Sequence, residues 1–550
     1  MRDAISASLY AQVSDNAVIA AKLEDLVVAR AEQRRFGSAM AWAEIAARFI
    51  TVNPTGRLRS PRMERALDSV ATQALGTRLA VLPRAGGRRV LHVLSEADRI
   101  GGHVQMAVRW IHLDPDSISD VVVTRSGHDL PALREAAASR QGTVTGLGAL
   151  PLLAAARQLR ALAAAADVVV CHTHHDDPVP TVAFGGAYRG APVITVNHAD
   201  HVFWLGTGNV SIVANLRDVG AQAAEVARGF PPTAMFLLPT PLDVAGRATP
   251  RDQAKDGLGI PREMTVALTL AREPKYRPAA HHPGFVDVVE PVLAGRDDVL
   301  LLAVGPSLAD PHWARLAQRL PERVRVMGPQ REPGKYLDAA DIYLDSFPFS
   351  SITSMLEAAI RDVPVLTSSR YEGLHRLLGS SGPLDDVVFA ATTTEDYRAT
   401  LTHLLEHPDL RRARGLATGK ATRDRHGPDG WPAHLAALYA AAAAAEPVLG
   451  RGSDGEPSAE LIDYACVLLA TEARSPLLWS VLTTADQLDR RDRLEVAARS
   501  TATRVVDRLR HAAGHPRKTS TALLLPWTGH PVVHPAAAPS PDERGEASDG

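Results

Sequence analysis

The chain has only two cysteines in 550 residues, Cys171 and Cys466, too few for a disulfide framework or a multi-cysteine zinc site. They fit a reducing compartment. Charge of one sign is also missing. Sixty basic residues stand against 62 acidic ones, a formal net charge of -2, so no global field favours a nucleic-acid or membrane partner. Long hydrophobic runs are absent. Residues 1–35 alternate charged and apolar side chains and lack the apolar centre of a signal peptide. Ala161 to Cys171 is too short to span a bilayer. A soluble, cytoplasmic protein is expected. Lysine is scarce, since the basic charge is nearly all arginine; with abundant alanine this fits a G+C-rich genome. Single arginines therefore say little, and a lone lysine in a motif says more. No short-period repeat is present.

What remains is an ordinary globular composition, 45% hydrophobic and 22% charged, long enough for several domains. Residues 1–85 read as helical: Ala39 to Ala46, for instance, lies among charged residues at helical spacing. From Arg88 onward the texture changes to short β-branched runs separated by amphipathic segments. Arg89–Leu94, Asp120–Val123, Asp167–Cys171 and Pro192–Val196 read as strands, and Val104–Ile111 and Leu150–Ala166 as helices. Nearly continuous apolar strands alternating with helices indicate a parallel sheet covered on both faces. After a polar, turn-rich connection at Gly246–Pro261, a second series follows: Thr265–Leu270, Val299–Val304, Val324–Met327, Ile342–Leu344, Val363–Leu366 and Val387–Ala390. The expected class is α/β. Residues 86–245 and 246–430 form two Rossmann-like domains, 431–525 a helical C-terminal region that begins with a closing helix at Ala433–Ala445, and 526–550 a disordered Pro/Ala/Ser-rich tail.

Ligands of open parallel sheets bind at the carboxyl ends of strands, and three such segments are unusual. Gly101-Gly102-His103 follows the first strand. The glycines allow close backbone approach, and His103 is either a proton acceptor or a plain loop histidine. His172, His174, His175, Asp176 and Asp177 follow one strand, and His198, Asp200 and His201 the next. No helical metal-ligand spacing accompanies them, so a polar cleft wall or surface loops are preferred to a metal site. In the second half, Arg272, Lys275 and Arg277 are placed to bracket a diphosphate, unless the loop is merely solvated. Further on, Ser350, Ser351, Thr353 and Ser354 open a helix whose free N–H groups favour phosphate. Glu357, one turn past Thr353, is suited to accept hydrogen bonds from vicinal hydroxyls, as on a ribose. An N-capped helix with an acidic first turn would look the same.

Taken together, these residues resemble a GT-B glycosyltransferase, in particular the O-linked N-acetylglucosamine transferase and SPINDLY group, with the bacterial cytoplasmic protein glucosyltransferases as cousins. The resemblance spans residues 88–425 and rests on four motifs in order. Gly101-Gly102-His103 is similar to the family's Gly-x-His before a helix. Ala191-Pro192-Val193 with Trp204-Leu205-Gly206 is similar to its Ala-Pro strand and Trp-x-Gly. Glu273-Pro274-Lys275-Tyr276-Arg277-Pro278 is similar to its Asn-x-x-Lys-x-x-Pro. The fourth is Asp341 to Pro348 followed by Thr353-Ser354, Glu357 and Asp362 to Thr367. The chain departs from the family at Ser350-Ser351, where glycines are usual, and at Ile352, Asp362 and Val104.

The resemblance implies two Rossmann-like domains facing a cleft, with helical N- and C-terminal additions. It also implies transfer from a nucleotide sugar, expected to be UDP-linked, to an acceptor hydroxyl or amide, without a metal or other cofactor. Lys275 would hold the diphosphate and His103 would serve as a cleft residue and base. Arg272, Gln330, Ser351, Thr353, Ser354 and Glu357 would bind the donor. Gly101, Gly102, His198 and His201 would lie on the acceptor side. The acceptor, whether protein, glycan or small molecule, is not legible. The helical ends are read as a partner-recognition surface or the seam of a homo-oligomer. The alternatives are a retaining transferase of the GT-4 kind, a GT-B epimerase, and a catalytically weak nucleotide-sugar-binding partner.

Overall fold

The structure, a computed structural model, describes residues 6–76, 87–96, 102–125, 131–186, 188–278, 283–379, 384, 387–445, 448–449, 455–471, 484–494 and 496. Gly101 and the tail at 526–550 lie outside them.

Eight strands arise in the first half: β1 (Arg88–Leu94), β2 (Ser117–Val123), β3 (Val144–Gly146), β4 (Val168–His172), β5 (Val193–Asn197), a two-residue β6 (Asn209–Val210), β7 (Ile212–Asn215) and β8 (Met235–Leu237). All but β6 form one parallel sheet of order β3-β2-β1-β4-β5-β7-β8, with Leu94 in register with Val123 on one side and His172 on the other. The second half supplies β9 (Thr265–Leu270), β10 (Val299–Val304), β11 (Val324–Gly328), β12 (Ile342–Leu344), β13 (Val365–Ser368) and β14 (Phe389–Ala391). These form a second parallel sheet of order β11-β10-β9-β12-β13-β14. A last strand, β15 (Val448–Leu449), pairs antiparallel with β6.

All six residues of β10 and five of the six in β9 are buried, as expected of strands covered on both faces. In each sheet the order reverses beside the first strand, between β1 and β4 and between β9 and β12. Connections leave in opposite directions there and open a crevice at the strands' carboxyl ends. The expected two Rossmann-like units are therefore present.

Besides the two-residue β6 and β15, three strands escaped the sequence reading. Val144–Gly146 and Met235–Leu237 are sheet edges of three residues, too short to show a pattern, and Ile212–Asn215 has four. The polar connection at Gly246–Pro261 holds a helix, Arg251–Gly257, because Lys255 is drawn inside to Asp341 (2.6 Å) and the carbonyl of Met264 (2.8 Å). This rare lysine is structural.

The expected closing helix, Trp431–Ala444, returns from the second unit to the first. Its Trp431, Leu435, Leu438 and Tyr439 pack with Val90, Trp110 and Ile194. Helices Ala7–Glu32, Phe36–Val52 and Pro61–Leu75 form the N-terminal region. Residues from the chain's later part close against it: Asp492 accepts from Arg30 (2.7 Å) and from the Trp42 indole (3.1 Å). Among the described residues no helix is long and apolar enough to cross a membrane.

Candidate functional site

The two switch points carry different chemistry. At the carboxyl end of β9 the chain turns through Arg272 into a short 3-10 helix, Glu273–Tyr276, that directs Lys275 inward. Gly305, at the end of β10, makes this turn possible. A Cβ there would stand 2.0 Å from the Ala271 carbonyl oxygen, and the residue has φ +108°. The Lys275 amine donates to the Ser350 carbonyl (2.6 Å), its one hydrogen bond among the described residues. Burial lowers its pKa to about 8, against the pull of the Asp345 carboxylate. The field of Arg217 and Asp200, both of the first unit, also reaches it. An amine protonated at neutral pH, with hydrogens to spare and no carboxylate bound to it, is suited to an incoming anion.

Beyond β12, Asp345 is buried and organises the next turn. It accepts from the Ser350 hydroxyl (2.5 Å), the Ser351 hydroxyl (2.6 Å) and the Ser351 amide (2.9 Å). The Tyr343 hydroxyl lies 2.7 Å from Ser351 Oγ. Ile352 then takes φ +45°, costly for a β-branched residue, where the family that this chain resembles usually has His or a small residue. Thr353 opens the helix Thr353–Ala359 and is exposed, Ser354 is half-buried beside it, and Glu357 follows one turn later.

The first unit presents histidines. Helix Gly102–His112 starts at the β1 end, with Gly102 exposed and His103 half-buried. The His103 ring stacks on His198 at 4.2 Å between centroids, meets His174 edge-on at 5.0 Å, and its Nδ1 is 3.2 Å from the His172 carbonyl. Deeper in, His172 Nδ1 is 3.3 Å from His198 Nε2, and His172 Nε2 is 3.2 Å from His92 Nδ1. Burial pushes all four imidazoles down: His92 and His103 to about 3, His172 and His198 well below the ordinary value. They are neutral at pH 7.

The neighbouring acids are occupied elsewhere. Asp176 binds Arg48 (2.6 Å) and Arg125 (3.1 Å). Asp177 accepts from Ser95 (2.6 Å) and Thr124 (2.5 Å) and caps helix Pro178–Ala183. Asp200 binds Arg217 (2.7 Å) and lies 3.4 Å from His201. Among the described residues no three His, Cys, Asp or Glu side chains are grouped to hold a metal ion. The Trp204-x-Gly206 loop is pinned from the N-terminal helices, where Glu64 accepts from the amides of Gly206 (2.8 Å), Thr207 (3.2 Å) and Gly208 (3.3 Å).

Two arginines of the first half reach into the second. Arg217, at the β7 end, donates to the Leu377 and Gly379 carbonyls (both 3.0 Å). Arg109, on the helix carrying His103, binds Glu357 (2.8 Å) and Asp243 (3.0 Å). Both escaped the sequence reading. Arginine is common in this chain, and Arg217 follows one of the unread strands.

Lys275, Ser351, Thr353, Ser354 and Glu357 thus lie around the β9–β12 switch point, and His103 and His198 around the other. Arg272 is exposed on the loop before Lys275. Gln330, past the end of β11, donates to the Met327 carbonyl (2.7 Å). The Ser351 hydroxyl is taken by Asp345, and the Glu357 carboxylate by Arg109.

No family model and no curated protein matches the chain. Solved structures similar to it include HepE of Anabaena in complex with UDP and glucose, at 14% identity and TM-score 0.49, covering 64% of this chain and 99% of that one. An O-GlcNAc transferase mutant of Thermobaculum terrenum is 15% identical, with TM-score 0.46 over 73% of this chain and 77% of that one. WaaG, a glycosyltransferase involved in lipopolysaccharide biosynthesis, is 16% identical, with TM-score 0.45 over 64% and 99%. The chemistry of the site rests on this chain's own residues.

Proposed function

We propose that this chain is a glycosyltransferase of GT-B architecture that moves a sugar from a nucleotide diphosphate, UDP by preference, to an acceptor bound between its two Rossmann-like units. One observation carries the reading: Lys275 stands half-buried at the second switch point with no carboxylate bound to it among the described residues, and charged groups of the first unit act on it. The chemical difficulty in such a transfer is the negative charge that gathers on the departing diphosphate. A fixed ammonium meets that charge without reorganising, and in a water-poor cleft it does so with little screening. Thr353 and Ser354, at the start of their helix, add hydroxyl and amide donors on the same side. On the other side, His103 offers a neutral imidazole suited to take the acceptor's proton.

The test is nucleotide release from a panel of nucleotide sugars, alongside thermal stabilisation by the free nucleotides. We expect stabilisation by UDP and turnover of a UDP-sugar. Lys275→Ala should lower turnover on the order of 100-fold or more, by analogy with loss of one preorganised charge-stabilising donor. Near-normal turnover in that variant refutes the assignment. The engagement of Glu357 by Arg109 favours one second reading, a protein that binds the nucleotide sugar with little transfer. Stabilisation by UDP-sugars with no nucleotide release under any donor selects it.

A further inference from the structure

Three histidines of the first unit, His92, His172 and His198, form an ordered row on which His103 stacks, and the row has one free end. His92 Nδ1 faces His172 Nε2, and His172 Nδ1 faces His198 Nε2, so each contact holds one proton shared between two ring nitrogens. Neutral imidazole carries one N–H, so the ring-to-ring protons must all point the same way. Two senses exist. In one, protons run from His198 toward His92 and leave an N–H at His92 Nε2. In the other they run from His92 toward His198 and leave a bare lone pair there.

His92 Nε2 is buried and has no hydrogen-bond partner among the described residues, and the Trp110 ring packs against the His92 ring in a T-shaped contact. Orphaned buried N–H donors are rarer in proteins than under-satisfied acceptors. The second sense is therefore preferred. His172 then donates from Nδ1 to His198 Nε2, and the single proton of His198 sits on Nδ1. His103 is fixed separately. Its Nδ1 faces a carbonyl, which only accepts, so that nitrogen holds the proton and Nε2 holds the lone pair.

We propose that His172 is a positioning residue that sets the tautomers of the two cleft histidines, making His103 Nε2 the acceptor and His198 Nδ1 the donor for an incoming hydroxyl. Its carbonyl orders one ring and its imidazole the other. Trp110 holds the row from the core side: it meets His92 and His172 edge-on, and its own N–H is spent on Tyr439 (2.8 Å). In the transfer, the acceptor O–H proton moves to His103 Nε2 as the oxygen forms its bond to the sugar carbon and the carbon–diphosphate bond breaks. The role in transfer rests on the glycosyltransferase reading, whereas the tautomers do not.

The experiment has two arms. Imidazole ¹⁵N spectra of the histidine-labelled full chain read the tautomers directly, and we expect His103 protonated on Nδ1 and His198 unprotonated on Nε2. A proton on His198 Nε2 overturns the proposal, whatever the protein catalyses. In the second arm, His172→Asn keeps an N–H near the Nδ1 position and His172→Leu removes it. We expect His172→Leu to lose roughly tenfold to a hundredfold in acceptor-dependent turnover and to shift the His198 signals. UDP should still stabilise it, and His172→Asn should restore most of the activity. Equal losses in both variants, or unshifted His198 signals in the leucine variant, reduce His172 to packing. If UDP fails to stabilise the wild-type chain, the transferase reading falls while the spectra still decide the tautomers.

Discussion

A hydroxyl already donating to a buried carboxylate has little left for a ligand, and Ser351 is in that position against Asp345. The motif that resembled a phosphate turn is partly an internal brace. Ser351→Ala should therefore destabilise the fold by about 1–3 kcal/mol, the cost of stripping a buried acceptor of one partner. UDP affinity should stay within about twofold, since less than 0.5 kcal/mol is at stake. Urea unfolding and nucleotide titration check the two halves, and a stable variant that no longer binds would return Ser351 to the donor site. Lys275 and Lys255 make the complementary point. Both are rare lysines at domain-like positions in the sequence. One is neutralised by Asp341 inside the fold, and the other keeps an amine bound, among the described residues, by a carbonyl alone. Nothing in the local sequence separates them, because the partner of Lys255 lies 86 residues away.

At the scale of elements, helix Gly102–His112 carries both His103 at its start and Arg109 two turns later. The helix therefore couples the end of the first sheet that carries His103 to the second unit through the Arg109–Glu357 pair. For Glu357 to receive a pair of vicinal hydroxyls, that pair has to loosen. Arg109→Ala should bind UDP more tightly by up to about fivefold, since a partly exposed ion pair is worth about 0.2–1 kcal/mol. Calorimetry reads this directly, and weaker binding would mean that Arg109 touches the nucleotide itself. The strands of these helix–strand units were legible wherever they ran for five or more buried residues: β9 and β10 were read to the residue. Edge strands and the histidine row were not, because a three-residue edge leaves no periodicity and a cluster assembled from two strands, the loop after a third and a helix leaves none either.

For the whole molecule, burial of histidine sets the response to acid. His92, His103, His172, His175, His198, His375 and His426 all have folded pKa values below the ordinary imidazole value. Each contributes stability that is complete above pH 6.5 and is lost as pH falls toward its folded pKa, at about 1.4 kcal/mol per pH unit for each proton not bound. Glu44 and Glu64, raised to about 7 by burial, and Asp345, also raised, act in the opposite direction over part of that range. Seven imidazoles outweigh three carboxyls. The melting temperature should fall between pH 7 and pH 5 in thermal scans at fixed ionic strength, and a rise would contradict the buried, neutral histidines.

The sequence by itself determined the two series of apolar strands, the helices between them and the positions of Lys275, His103 and Glu357 at strand or helix ends. These follow from local spacing, which the chain records residue by residue. Only the tertiary structure decided which polar groups are free. Asp345 takes Ser351, Arg109 takes Glu357, and His172 joins His92 to His198, because hydrogen bonds and ion pairs form between groups that are close in space however far apart they lie along the chain.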